Sequence, residues 1–197
     1  MLEMKHPRIT RPARYQAGKW CLRGFTLVEL MVTLALVSVL MMIAVPSYIS
    51  FSRNSQLSDV ISNFVAGFNA ARSNSMKLGL NTLMIPQNTS TGWSSGWMIF
   101  TDTNWDNSYT AGTDTLIAEH PAIPARAGIT VTVIGDSSSP NSLAANYLLF
   151  NGSGFPKLKS GNFSNGSIVF NNVDRSTTII YSQAGRIRSC KTGDSGC

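Results

Sequence analysis

Glu29 sets the first chemical problem in this sequence. From Phe25 to Val45 it is the one charge in a run of 21 residues. A carboxylate in such surroundings needs a partner, and an acid retained inside an apolar span usually marks a function. A second group lies near the carboxyl end, in Gly185-Arg186-Ile187-Arg188 followed by Lys191. On a strand the period of two sends Arg186 and Arg188 to one face and Ile187 to the other, with the two guanidiniums ~6.7 Å apart. Planar bidentate donors at that spacing suit phosphate oxygens, and Lys191 is expected to join them. With no stacking aromatic beside the arginines, recognition would be of backbone phosphate, independent of sequence.

Other candidates are weaker. Asp102-Thr103-Asn104-Trp105-Asp106-Asn107 puts oxygen donors at alternate positions, as a calcium loop does. Its twelfth position is Thr113 instead of the closing Glu, with Asp114 the nearest substitute. The segment therefore reads as a polar, turn-rich loop, and no metal or cofactor is expected. The two histidines are His6 and His120, the latter beside Pro121 and read as a surface loop residue. No nucleophile–base motif and no glycine-rich phosphate loop accompanies them, so the chain is read as a non-enzyme with no catalytic residues.

The elements that must hold these groups follow from periodicity. Twenty-one residues of helix reach ~32 Å, close to the ~30 Å hydrocarbon core of a bilayer. Pro46 is expected to kink or briefly interrupt the helix as it leaves the bilayer. Leu57, Val60, Ile61, Phe64, Val65, Phe68 and Ala71 then recur every three or four residues, with Arg53, Asp59, Asn63 and Asn69 on the other side. Lys77 and Gly79 end that amphipathic helix near Leu78. From Leu80 the pattern changes to short strands near 80–86, 96–101, 115–119, 129–134, 147–150, 167–170, 177–182 and 186–190, with 137–142 a loop. The fold class is α+β: a long amino-terminal helix packed on a small antiparallel sheet domain. Its divisions are a leader (1–24), a membrane-spanning part of the helix (25–45), an amphipathic part (46–79) and a β-rich domain (80–197).

Charge supports this order. The formal net charge is +6, but residues 1–24 hold six basic side chains against Glu3 alone. A basic flank ahead of a membrane helix keeps that end cytoplasmic. The carboxyl-terminal domain then lies outside the inner membrane, where Cys190 and Cys197 can pair while Cys21 stays reduced. An eight-residue loop closed by that disulfide is worth roughly 2.5 kcal/mol. Beyond residue 24 charge is nearly balanced, yet residues 157–197 hold six basic side chains against Asp174 and Asp194. A basic carboxyl-terminal quarter points to an anionic partner.

Gly24-Phe25-Thr26-Leu27-Val28-Glu29, with its basic leader and apolar run, resembles the type IV prepilin family. The resemblance implies cleavage by a prepilin peptidase between Gly24 and Phe25 and N-methylation of Phe25. It also implies pairing of Glu29 with the amino terminus of a neighbouring pilin or pseudopilin during assembly. Within that family the chain is similar to the FimT/GspH group of minor pilins and pseudopilins. The similarity is carried by Asn69-Ala70-Ala71-Arg72-Ser73, Gly96-Trp97-Met98-Ile99-Phe100 with Asp102, Asn151-Gly152 with Gly154, and Gly185-Arg186-Ile187-Arg188. In FimT-type minor pilins a Gly-Arg-x-Arg element is associated with DNA binding in natural transformation. That implies Arg186, Arg188 and Lys191 as DNA contacts on a pilus subunit. The alternative is a GspH-type minor pseudopilin of a type II secretion system, which would not bind DNA.

Overall fold

A computed structural model describes residues 24–134, 146–191 and 193–194. Leader residues 1–23, with Cys21 among them, the 137–142 loop and Cys197 fall outside the described residues. The chain divides into two compact units, Met1–Ile43 and Ala44–Cys197.

The first unit contributes the opening of helix α1 (Leu27–Leu78). Thr26 caps it, its Oγ1 accepting the Glu29 N–H at 3.2 Å. Every described residue of this unit is exposed, and the helix is long and apolar enough to cross a membrane. Thr33 Oγ1 and Ser38 Oγ each donate to a backbone carbonyl one turn back, at 2.8 and 2.7 Å. Those hydroxyls are thereby satisfied inside the helix, as a bilayer requires. The helix runs on through Pro46, so the expected interruption is not present.

In the second unit the expected stripe is the buried one. Leu57, Val60, Ile61, Phe64, Phe68 and Ala71 are buried, whereas Asp59, Asn63 and Asn69 are exposed. The strands are β1 (Thr82–Pro86), β2 (Trp97–Thr101), β3 (Thr115–His120), β4 (Thr130–Ile134), β5 (Leu148–Phe150), β6 (Pro156–Lys157), β7 (Gly166–Asn171), β8 (Ser176–Tyr181) and β9 (Ile187–Lys191). They form two antiparallel sheets, ordered β3-β2-β1-β5-β6 and β4-β7-β8-β9, where one small sheet was expected. Strand β6, of two residues opening on a proline, carries no alternation that a sequence reading could find.

Both sheets close on the same helix face. Phe64 meets Trp93, Trp97 and Phe170 edge to face at 5.4–5.5 Å, and Phe68 meets Phe150 at 4.8 Å. Each such ring contributes about 1.5–3 kcal/mol through burial, with a further gain from its edge-on contacts. Gly67 lets the first sheet approach, for a Cβ there would stand 3.1 Å from Trp97 Nε1. His120 is half-buried at the end of β3, not in a loop, and its ring stacks on Trp97 at 4.0 Å.

Candidate functional site

Strand β9 is an edge of the second sheet, paired only with β8 among the described strands. The register sets Ile187 opposite Tyr181, Arg188 opposite Ile180 and Ser189 opposite Ile179. Ile179 and Tyr181 are core residues, and Ile187 packs against the same cluster. Alternation therefore turns Arg188 outward beside Ile180. Arg186 precedes the strand and is exposed with it, and these two arginines line a shallow hollow of about 280 Å³ together with Ile180 and Ser182. The hollow has an apolar floor and two cationic walls.

Lys191 does not join the arginines. It ends β9 opposite Thr177, on the parity of Ile187. An odd-numbered offset from Arg186 and Arg188 puts it on the other face, a consequence of the same period of two. Cys190, half-buried on the arginine parity, is disulfide-bonded, and both other cysteines lie outside the described residues.

The hairpin that presents Arg186 is held by contacts remote in sequence. Ser182 N donates to Arg186 O, and Gly185 N donates to Ser182 O, both at 2.9 Å. Arg72 reaches it from α1: Nε donates to Gly154 O at 3.0 Å and Nη2 to Ala184 O at 3.4 Å. Gly185 has φ +74°, and a Cβ there would meet Arg72 Nε at 2.8 Å and Gly154 O at 2.9 Å. At Gly152 a Cβ would lie 2.4 Å from Gly79 O. Arg72, Asn151-Gly152-Ser153-Gly154 and Gly185 thus form one packed node between the helix end, the loop after β5 and the β8–β9 hairpin. Gly154 and Ala184, the two residues Arg72 bonds, lie 82 and 112 positions from it in the sequence, so no local signal joins them.

The basic residues at 157 and 159 are engaged elsewhere. Lys157 Nζ lies 3.5 Å from the centre of the Phe163 ring, and Lys159 Nζ donates to Asn107 O at 3.0 Å. They belong to the end of the first sheet, apart from the arginine hollow. At the amino-terminal end Gly24, Phe25 and Glu29 are exposed, with Glu29 in the first helical turn.

A long apolar helix whose second half carries antiparallel sheets, opened by Gly-Phe-Thr-Leu-Val-Glu, defines a pilin-like subunit. Residues 61–185 match the family described as type II transport protein GspH, and residues 23–45 match the prokaryotic N-terminal methylation motif. The first match covers more than half of the chain, which belongs to the GspH family. The fold is similar to that of the type IV minor pilin FimU of Pseudomonas aeruginosa, with a TM-score of 0.50 and 18% identity over 70% of this chain and 90% of that one. The minor pseudopilin EpsH from the type 2 secretion system of Vibrio cholerae is more remote, at TM-score 0.35 and 10% identity over 74% and 98%. No curated protein sequence matches the chain. The protein is a membrane-anchored subunit of the minor pilin or pseudopilin kind, with a carboxyl-terminal globular domain.

Proposed function

We propose that the chain is a minor type IV pilin that binds DNA without sequence preference and serves DNA uptake in natural transformation. The observation that carries this reading is the arginine hollow on an open sheet edge. Arg186 and Arg188 share one outward face while the intervening Ile187 anchors the strand in the core. Phosphate oxygens fit such a pair, and the positioned backbone of the Arg72 node limits the ordering needed on binding. The role is one of binding and assembly, with no catalytic step.

Maturation follows the amino-terminal motif. A prepilin peptidase removes residues 1–24 and the new amino terminus at Phe25 is methylated. Glu29 pairs with that amine on a neighbouring subunit, and a Cys190–Cys197 bridge closes the tail outside the inner membrane. The intact mass in cells with an active prepilin peptidase should equal that of Phe25–Cys197 plus one methyl group, with the disulfide counted. Retention of residues 1–24 in such cells would contradict the maturation scheme.

A chromosomal Arg186→Gln/Arg188→Gln variant is the test in cells. It should enter filaments at the wild-type level and lower DNA uptake at least ~tenfold, the loss expected from two charge-assisted contacts of about 1 kcal/mol or more each. Unchanged uptake would contradict the DNA role. Loss of protein secretion on deletion of the whole chain, with DNA uptake intact, would favour the pseudopilin alternative, to which the GspH match also conforms.

A further inference from the structure

The loop that leaves β2 and enters β3 holds two acids in a setting that its composition does not reveal. Asp102 directly follows β2 and is fully buried, while Asp114, just before β3, is 8% exposed. Thr101 and Thr115 form the last pair of that hairpin, so these acids stand at its mouth, side by side. Both carboxylates aim into the loop between them. Asp102 Oδ2 accepts the Asn107 N–H at 2.9 Å, and Asp114 accepts the N–H groups of Thr103 and Thr110 at 3.0 and 2.7 Å. The remaining oxygen, Asp102 Oδ1, is buried without any hydrogen-bond partner.

Two adjacent buried carboxylates repel one another, and the cost of bringing them out of water falls only where hydrogen bonds or a counter-charge compensate it; backbone N–H groups reach three of the four oxygens and leave Asp102 Oδ1 uncompensated. The ammonium that reaches this loop, Lys159 Nζ, meets it at the Asn107 carbonyl, 3.0 Å away. Asp106 is also turned aside, its oxygens accepting from Ser108 N–H and the Asn104 side-chain amide at 2.7 Å each. A buried carboxylate oxygen left without a partner, beside a second buried acid, is the feature that a hard divalent cation satisfies.

We infer that loop 102–114 binds one calcium ion through Asp102 and Asp114. Among the described residues no three His, Cys, Asp or Glu side chains converge as a metal cage. The remaining ligands are therefore loop carbonyl or amide oxygens and water, a mixed shell that calcium accepts and that magnesium, with its strict octahedron, accepts poorly. Two carboxylates give a site of the weak class found in extracellular modules, with a dissociation constant of ~10⁻⁴–10⁻³ M. The binding holds the β2–β3 loop and is separate from the arginine hollow, so it stands or falls apart from the DNA reading.

The test uses the processed chain in detergent, stripped with a chelator and returned to calcium chloride or magnesium chloride. Equilibrium dialysis should give one calcium per chain. At a hundredfold excess over the dissociation constant, thermal unfolding should rise by roughly 5–10 °C, with a clearly smaller rise in magnesium. D102N and D114N should lose both effects, whereas D106N should keep them. Calcium binding well below one equivalent in the wild type, a result that requires no variant, would overturn the inference. So would wild-type calcium binding by folded D102N or D114N.

Discussion

Glu29→Val is expected to insert into the membrane at least as well as the native chain and to drop out of filaments. Insertion improves because a carboxylate is costly in an apolar span, whereas valine is not. Assembly fails because the amine of the neighbouring Phe25 loses its counter-charge. A charge-assisted hydrogen bond contributes about 1.5–3 kcal/mol, so incorporation should fall by roughly tenfold or more. The helix start is preserved in this variant, since the Thr26 cap uses the backbone N–H of residue 29 and not its side chain. Thr26→Ala supplies the complementary control: it removes the cap, at a cost of ~1 kcal/mol, while keeping the acid. Immunoblots of membranes and sheared filaments measure both steps. Normal incorporation of Glu29→Val would leave the acid without its assigned role.

The second large effect belongs to the node beneath the arginines. Gly185→Val should destabilise the domain by about 3 kcal/mol, combining ~1–2 kcal/mol for a left-handed residue with a clash that neither neighbour can relieve cheaply. One neighbour is the Gly154 carbonyl, which is backbone; the other is the Arg72 guanidinium, fixed by its own bonds to Gly154 and Ala184. At 2–4 °C per kcal/mol for a chain of this size, the melting temperature should fall by roughly 6–12 °C. DNA affinity should fall with it, because the hairpin that presents Arg186 must shift. A melting curve that superimposes on the wild type would show that Gly185 is not packed as described.

How much of this was legible in the sequence depended on the range of the signal. The helix face was plain, because a stripe from Leu57 to Ala71 needs only its own period, and its end at Leu78 followed from Lys77 and Gly79. Apart from β6, which was not expected, strand positions were legible to within one or two residues. The division into two sheets was not, because strand order is a long-range property: β1 sits between β2 and β5, and β4 pairs with β7 across the intervening chain.

The candidate site divided in the same way. The alternation of Arg186, Ile187 and Arg188 was available from three adjacent residues, and the same rule, applied to Lys191, puts it on the other face and corrects the expectation that it joins them. Arg72 stood out only as part of a short motif, and its hold on Gly154 and Ala184 required the folded chain. The orphan oxygen of Asp102 belongs to this second kind as well: spacing suggested oxygen donors, but only burial distinguishes a solvated loop acid from one that needs a cation.

The central claim is that Arg186 and Arg188 hold DNA by its phosphates, and a salt titration addresses it most directly. Fluorescence polarisation with a labelled duplex, using the processed chain in detergent, should give micromolar or weaker affinity. Plotted as log affinity against log salt, the slope should be about −2, the signature of two neutralised phosphates. Arg186→Gln and Arg188→Gln should each weaken binding equally on unrelated sequences and make that slope shallower by about one unit. Lys157→Gln and Lys159→Gln, whose side chains are engaged with Phe163 and Asn107, should leave it unchanged. Coincident curves for the wild type and the double arginine variant would contradict the account.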